Sequence, residues 1–157
     1  NDFRYYFVFC GGKKGNFDYI SNLIKKENLY EHICIVDFIR DEEIISLYQN
    51  SNAVVMPTYC GPTNLPIYES FYFKKIIFYS KDLIEDDPII NHLIQIDLSS
   101  PEDFCKKLDI CFDEEKIKKI IESNFEFYNS ICSEDKFKKN YKDILDDFFY
   151  LIERWKN

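Results

Sequence analysis

Glycine, proline and histidine are scarce in this sequence, at four, five and two among 157 residues. Neither His32 nor His92 has metal-ligand spacing around it, so we expect no zinc site. The six cysteines form no C-x-x-C pair, which favours a reduced, cytosolic protein over a disulfide-linked one. No apolar run approaches the roughly 20 residues that span a bilayer. These absences argue against a zinc protein, a disulfide scaffold and a membrane-spanning chain.

The charge balance limits the partners of the chain. Twenty-eight acidic and twenty basic residues give a net charge of −8. This argues against nucleic acid, because no basic stripe would offset the repulsion from phosphates. A single nucleotide is compatible with this charge, since it needs only a local patch. Apolar residues make up 46% of the chain and aromatic residues 18%, which predicts a packed core rather than disorder.

Short apolar runs alternate with segments of helical periodicity along the chain. The runs that predict strands are residues 5–10, 32–38, 53–56, 75–79 and 93–97. Helices are predicted at 18–28, from Asp41, at 66–73 and throughout the chain after Ser100. This alternation indicates a parallel sheet, in which ligands bind at the carboxyl ends of the strands. The predicted class is α/β, a Rossmann-like parallel β-sheet flanked by helices, with a helical C-terminal segment.

Burial is predicted from the same patterns. Residues 5–10 are typical of a strand buried on both faces, with Cys10 and Cys34 as small core residues. The C-terminal segment carries two apolar stripes at helical spacing, which we expect to face the core. The stripes are Ile117, Ile120, Ile121, Phe125 and Tyr128, then Ile144, Leu145, Phe148, Leu151, Ile152 and Trp155. An alternative is that part of the last stripe covers another domain. Without a repeat or linker, residues 1–157 are predicted to form a single domain.

The stretch Thr58–Glu69 concentrates rare residues, including Gly61 and two of the five prolines. It follows the predicted strand 53–56 and leads into a helix from about Pro66. A strand, a stiff turn and a helix whose free N–H groups face the turn form a site for an anion. Glu69 lies near the first helical turn. A carboxylate beside an anion site suits a ligand that also offers hydroxyls, such as a ribose next to a diphosphate.

Four segments, in order, carry a resemblance to a known family. They are Phe7–Gly12 (FVFCGG), Ile35–Tyr48 (IVDFIRDEEIISLY), Asn52–Thr58 (NAVVMPT) and Asn64–Ser70 (NLPIYES). Together they resemble the C-terminal domain of glycosyltransferase family 4, also called glycosyl transferases group 1, over roughly residues 5–110. These are retaining nucleotide-sugar enzymes of GT-B fold. The resemblance therefore implies the donor-binding half of a larger, two-domain glycosyltransferase.

The family signature is a Glu-x7-Glu motif whose second Glu matches Glu69, which by resemblance would hold the ribose hydroxyls of the donor. Leu65 and Pro66 match its Leu-Pro, where backbone N–H groups meet the diphosphate. The first Glu falls on Gly61, so the acid that helps to hold the donor sugar in relatives is missing. A glycine usual after the motif helix falls on Lys74. The resemblance thus implies a variant donor site.

Further donor contacts are implied by the same resemblance. Thr63 and Asn64 replace the family's Phe-Gly and would hydrogen-bond the sugar or the phosphate. Phe38 and Ile39 would border the nucleobase, mostly through backbone groups. The glycine usual near the base falls on Asp37.

The loop after the first strand is open to two interpretations. Gly11 and Gly12 would lie near the phosphate or the donor, or they form only the turn that a strand-to-helix joint needs. Lys13 and Lys14 are expected to be solvated rather than to contact phosphate. Arg40 is expected to pair with the acidic residues that follow it. The acidic residues Asp82, Glu85, Asp86 and Asp87 are expected to form a loop rather than a metal site.

The resemblance also implies the partners and the setting. The donor would be a UDP- or GDP-sugar, with no cofactor and no required metal. The acceptor would be a glycan or a lipid-linked glycan in surface polysaccharide synthesis, and the N-terminal acceptor domain is absent from this chain. We expect a cytoplasmic location, with association of the full-length enzyme with the inner face of the cytoplasmic membrane as a further option.

Two classes of alternative stay open. One is a non-catalytic α/β module that binds nucleotide or another protein, which the missing acid at Gly61 favours. The other is a GT-B epimerase acting on a nucleotide sugar, although the order of the motifs fits it less well. A response-regulator receiver is disfavoured, because no acidic pair ends the first predicted strand and no Asp ends the third.

Overall fold

The computed structural model of the chain describes residues 5–59, 65–82 and 88–155. Strands and helices alternate through the first two thirds of these residues, and helices fill the remainder. The elements are β1 (Phe7–Cys10), α1 (Phe17–Lys26), β2 (Ile33–Val36), α2 (Asp41–Asn50), β3 (Ala53–Met56), α3 (Leu65–Tyr72), β4 (Ile76–Ser80), β5 (Ile94–Ile96), α4 (Pro101–Leu108), α5 (Glu114–Cys132) and α6 (Glu134–Trp155), with 3-10 helices at Pro88–His92 and Asp109–Phe112. The predicted order of elements is confirmed.

The chain divides into two compact units, residues 1–47 and residues 48–157. In the first unit β1 and β2 form a parallel pair, in register from Phe7 opposite Ile33 to Cys10 opposite Val36. In the second unit β4 lies between β3 and β5, and both pairings are parallel. Strand pairing is therefore parallel in both units, as the alternation of strands and helices predicts.

The core of the second unit forms around β4. All five residues of β4 are buried, because the strand has a neighbour at each edge and α3 and α4 pack on its two faces. Ile77 and Tyr79 pack with Ile67 and Phe71 of α3 and with Ile89 in one cluster. Each of these five side chains is at most 2% exposed. Burying an aliphatic or aromatic side chain of this size contributes about 1.5–3 kcal/mol, so this cluster holds α3 against the sheet.

Local signals set the ends of several helices. Ser100 caps α4 by accepting the Asp103 N–H, and Pro101 follows at the first helical position, as predicted. Helix α3 ends in a Schellman turn, in which the Lys75 N–H donates to the Ser70 carbonyl at 2.8 Å. Lys74 occupies the left-handed position of this turn with φ of 55°. A lysine thus adopts the left-handed position, at which the resemblance of the motifs would place a glycine.

The first unit is less buried than the sequence predicts. Strand β1 was expected to be buried on both faces, yet Val8 is 41% exposed and Phe9 is 39% exposed. Cys10 is exposed and Cys34 is half-buried, so the prediction that they are core residues is wrong for Cys10. The reason is that β1 pairs with β2 alone among the described strands. An apolar run therefore predicts a strand, but it does not by itself predict whether both faces of that strand are covered.

The two C-terminal stripes have different outcomes. The stripe on α5 is half-buried, and Phe127 and Tyr128 pack against the core of the second unit. No described residue of α6 is buried, and Ile144, Phe148 and Trp155 are 65%, 56% and 87% exposed. The prediction that this stripe faces the core is wrong, because α6 packs chiefly against α5 and presents its apolar face to solvent.

The sequence did not predict the 3-10 helix Pro88–His92. Ile89 joins the core from this helix, and the His92 ring stacks on Phe127 with ring centroids 4.2 Å apart. His92 Nδ1 lies 3.1 Å from Oδ1 of Asn124, which is buried on α5. The helix therefore links the sheet to α5. Within the described ranges, no helix is long and apolar enough to cross a membrane.

The contrast between α3 and α6 gives a test with a matched pair of variants. Phe71→Ala should lower the free energy of unfolding by about 3–5 kcal/mol, because it leaves a cavity in the core. Phe148→Ala removes the same side chain from an exposed face and should change the free energy by about 0.5 kcal/mol or less. Urea denaturation followed by circular dichroism measures both values. Equal losses would contradict the exposure of α6.

Candidate functional site

The glycine loop of the first unit follows β1. The Gly11 N–H donates to the Val36 carbonyl at 3.1 Å, which extends the β1–β2 ladder by one residue. Gly11 has φ of 155° and Gly15 has φ of 59°, conformations that favour glycine. Gly12 has no such constraint, and a Cβ added there would meet no atom within 4 Å. Two of the three glycines are therefore explained by the turn, and Gly12 faces open space.

An ion pair joins this loop to the end of β2. The Asp37 carboxylate accepts the backbone N–H of Lys13 at 3.0 Å, and its second oxygen lies 3.2 Å from Lys13 Nζ. Asp37 stands where the resemblance of the motifs would place a glycine. The Asp37 side chain binds Lys13 and so holds the glycine loop against the residues that follow β2. The sequence did not predict this contact, because Lys13 was expected to be solvated.

The glycine loop and the residues after β2 lie side by side, because β1 and β2 are parallel neighbours. Phe38 is 82% exposed and Ile39 is half-buried. The structure thus brings Gly11, Gly12 and Phe38 to the carboxyl edge of one strand pair, where ligands of such sheets bind.

A small hollow of about 140 Å³ borders the glycine loop. It is lined by residues of the loop, β1 and α1, including Phe9, Gly11, Gly12 and Phe17. Pockets for whole ligands have volumes of about 300–1,000 Å³. The hollow is therefore smaller than a pocket for a whole ligand.

Arg40 has a structural role, as predicted. Its guanidinium lies 2.8 Å from Glu43 Oε1, and its backbone N–H donates to Glu43 Oε2 at 3.0 Å. These bonds lower the pKa of Glu43. The Arg40 carbonyl accepts the first N–H groups of α2, so the pair fixes the start of that helix.

Eight residues separate the end of β3 from the start of helix α3. Leu65 opens it and is 60% exposed, and Pro66 is half-buried at the second position. The predicted site residues Thr63 and Asn64, and Gly61 before them, lie outside the described residues. The described part of the predicted anion site is thus the first turn of α3.

Glu69 is half-buried at the fifth position of α3. Its Oε2 accepts a hydrogen bond of 2.7 Å from the hydroxyl of Tyr48, near the end of α2. The Tyr48 ring stacks on Phe73, with centroids 5.1 Å apart and an angle of 10° between planes. The sequence pointed to Glu69 but not to its partner, because the two residues are 21 positions apart and carry no joint spacing signal.

A network of paired charges lies at the carboxyl ends of β4 and β5. Lys81 Nζ lies 2.6 Å from Asp97 Oδ2, and the Asp97 N–H donates to Asp103 at 3.1 Å. Lys107 lies 2.7 Å from Asp103 and also donates to the Gln95 carbonyl. The network borders a cleft of about 370 Å³. Because its charges are paired with one another, the simplest role is to fix the start of α4 against β5.

The pKa values in this network follow from its hydrogen bonds. The bond from Lys81, and then those from Ser99, hold the pKa of Asp97 well below its usual range. The bond from Lys107 lowers the pKa of Asp103, and the Asp97 N–H adds to the effect. Both carboxylates therefore favour the folded state while they are charged. In the described part of the chain, no group of three or more His, Cys, Asp or Glu side chains is placed to hold a metal ion.

Comparison with known families bears on these loops. The sequence profile of the family "Glycosyl transferases group 1" matches residues 2–126. The chain belongs to this family. The match includes the glycine loop, the end of β2 and α3 with Glu69. No curated protein matches the chain.

Two solved structures confirm the fold class of this glycosyl transferases group 1 chain. A sucrose-phosphate synthase from Thermosynechococcus elongatus is 13% identical, with a TM-score of 0.74 over 92% of this chain and 38% of that one. The C-terminal domain of a glycosyl transferase group 1 family protein from Francisella tularensis is 21% identical, with a TM-score of 0.58 over 77% of this chain and 64% of that one. At these identities the likeness concerns the fold alone. The chain spans less than two thirds of either protein.

The Asp97 ion pair gives a prediction about acid stability. Because the pKa of Asp97 is lowered in the folded state, its contribution is complete above the unfolded value of about 3.9 and is lost as the pH falls further. The melting temperature of the wild-type chain should therefore fall more steeply from pH 5 to pH 2 than that of Asp97→Asn. Circular dichroism melts at several pH values measure the two slopes.

A suitable control for this comparison is Asp147→Asn, which removes a carboxylate from the exposed surface of α6. Its slope should match that of the wild type. If Asp97→Asn and Asp147→Asn behave alike, the lowered pKa of Asp97 is contradicted.

The glycine loop gives a second matched pair. Gly15→Ala should destabilise the chain by about 1–2 kcal/mol, because alanine is strained at a left-handed position. Gly12→Ala adds a methyl group in open space and should be neutral or stabilising by up to about 1 kcal/mol. Urea denaturation distinguishes them. A loss at Gly12 as large as the loss at Gly15 would contradict the loop geometry.

Proposed function

We propose that this chain is a single-domain, donor-binding half of a glycosyltransferase. In this proposal the complete enzyme transfers a sugar from a UDP- or GDP-sugar, with retention at the anomeric carbon. The acceptor is a glycan or a lipid-linked glycan of a surface polysaccharide, bound by a domain outside this chain. Membership of the glycosyl transferases group 1 family supports sugar transfer. The donor, the acceptor and the stereochemistry come from the resemblance of the motifs.

The observation that carries the proposal is the position of Glu69 on α3. The residue lies in a helix that follows the carboxyl end of a parallel strand, and its carboxylate is half-buried rather than fully solvated. A carboxylate that only compensates the helix dipole near an N-terminus needs no hydrogen-bond partner. Here a tyrosine hydroxyl restrains the carboxylate at 2.7 Å. A fixed acceptor in a helix whose N-terminal end favours anions suits ribose hydroxyls next to a diphosphate.

The first turn of α3 would serve the diphosphate. The N–H groups of a first helical turn have no intrahelical acceptor, and the helix dipole makes this end favourable for an anion. The charge that develops on the departing diphosphate would be stabilised there, which is the electrostatic route to catalysis. Leu65 and Pro66 are the described residues at this position, and of the two only Leu65 has an N–H to donate. Thr63 and Asn64 are assigned to the sugar or phosphate by the resemblance.

In the first unit, the resemblance assigns Phe38 and Ile39 to the nucleobase and Gly11 and Gly12 to the donor. Two features of that unit support these roles. Gly12 is open to solvent without a conformational need for glycine. Phe38 is 82% exposed just after the end of β2, so the residue is accessible to a planar base. Lys13 is paired with Asp37, so we assign it no phosphate contact.

The proposal includes no cofactor and no metal. We assign no general base and no protein nucleophile to the described residues. Acceptor chemistry would therefore depend on the domain outside this chain, and this chain alone would bind nucleotide weakly without turnover. We place the complete enzyme in the cytoplasm, with the inner face of the membrane as its place of work if the acceptor is lipid-linked.

A second candidate is a non-catalytic module that binds nucleotide or another protein. The observation that favours it is Gly61, which stands where the family has the first Glu of its motif. Without that acid the contact to the donor sugar is weakened, whereas the contacts to ribose and diphosphate are not affected.

Nucleotide titration of this chain followed by NMR tests the proposal. We expect UDP or GDP to shift resonances in the loops at 11–15, 37–40 and 61–69, with ADP as a comparison. Shifts confined to these loops support donor binding. If millimolar UDP, GDP and ADP all leave the spectrum of the folded chain unchanged, the interaction module is favoured instead.

Glu69→Ala tests the central residue. Hydrogen bonds to charged groups contribute about 1.5–3 kcal/mol, so the affinity for UDP or GDP should fall by roughly tenfold or more. Calorimetry on the wild-type chain and the variant measures the change. Glu126→Ala, which removes an exposed carboxylate from α5, is the control. An unchanged affinity in Glu69→Ala would remove its proposed role.

A further inference from the structure

The structure suggests a second residue for the proposed ribose contact, one that neither the motif nor the family match assigns. We infer that Tyr48 is a positioning residue, which holds the Glu69 carboxylate in the orientation that receives the ribose hydroxyls. This inference rests on the proposed function, since Glu69 has to contact the ribose for its orientation to matter.

The first argument is that the two carboxylate oxygens of Glu69 have different roles. Oε2 accepts the Tyr48 hydroxyl at 2.7 Å, a distance typical of a strong hydrogen bond between a hydroxyl and a charged acceptor. No hydrogen bond to Oε1 is seen in the described part of the chain. One oxygen therefore fixes the group, and the other is left for a ligand.

The second argument is that Tyr48 is itself held in place. Its ring stacks on Phe73 at 5.1 Å, immediately after the end of α3. The next residue, Gln49, accepts a hydrogen bond of 2.9 Å from Lys75 Nζ through its backbone carbonyl. The Tyr48 carbonyl accepts the Ser51 hydroxyl at 3.0 Å. A rigid hydroxyl is what a positioning role requires, because a mobile one would not restrict the carboxylate.

The third argument is entropic. A glutamate side chain has several rotatable bonds, and ordering it upon binding would cost roughly 0.5–1.5 kcal/mol. A bond formed before the ligand arrives removes most of that cost. A bond that only braced α2 against α3 would be equally well served by apolar contacts, which Tyr48 and Phe73 already supply. The Tyr48 hydroxyl fixes the orientation of the Glu69 carboxylate, and a ligand would depend on that orientation.

Tyr48→Phe is a sharp test, because it keeps the ring and its stacking on Phe73 and removes one oxygen. Binding of UDP and of 2′,3′-dideoxy-UDP is measured by calorimetry, and the same pair is measured for GDP. The ratio of the two dissociation constants is the ribose preference. A change that only perturbs the structure would alter both dissociation constants by the same factor. A change in their ratio therefore reports on the contact to the ribose hydroxyls. Tyr141→Phe, on the exposed face of α6, is the matched control.

We expect the wild-type chain to prefer the nucleotide with its ribose hydroxyls, and Glu69→Ala to lose that preference. Tyr48→Phe should reduce the preference by roughly three- to tenfold, as expected for one hydrogen bond, with little change in the affinity for the dideoxy nucleotide. Tyr141→Phe should equal the wild type. Circular dichroism checks that each variant is folded.

The outcomes separate the two proposals. If the wild-type chain binds neither UDP nor GDP, or binds them without a Glu69-dependent ribose preference, the proposed donor site is wrong. If that preference exists and Tyr48→Phe retains it in full, the positioning role is wrong and the donor site stands. If Tyr48→Phe weakens both nucleotides equally, Tyr48 is only a brace between α2 and α3.

Discussion

The burial of β4 is the constraint on which the second unit depends. A strand with a neighbour on each side and no solvated face must be covered by layers on both faces. Helix α3 packs Ile67 and Phe71 onto one face, and Phe104 of α4 meets Phe78, with ring centroids 5.7 Å apart. The direction of α3 follows from this packing, and with it the place of Glu69. The position of the candidate site on α3 is therefore set by the packing of this short helix on β4.

Much of this arrangement could be predicted from the sequence, where the signals are local. The apolar runs placed all five strands within a few residues, and Ser100 with Pro101 predicted the start of α4. Alternation of strands and helices predicted parallel pairing. Glu69 could be singled out because its motif is contiguous, and it lies at the fifth position of α3, just past the first helical turn.

The remainder depends on contacts that leave no periodic signal. The exposure of β1 depends on which elements pack around it, so its apolar run did not predict the exposure of Val8. The apolar stripe of α6 looks like a core stripe, since sequence alone does not say what lies opposite a helix. The Tyr48–Glu69 and Lys13–Asp37 bonds join residues 21 and 24 positions apart. Such pairs are defined only once the elements that carry them are packed together.

The exposed end of α6 has a consequence for how the folding of this chain is observed. Its one tryptophan is Trp155, which is 87% exposed on that helix. The indole is thus solvated in the native state, and unfolding of the core around β4 hardly changes its surroundings. The intrinsic tryptophan fluorescence would therefore change little while the core unfolds. The backbone, or the buried ring of Tyr79, is the spectroscopic reporter of this core.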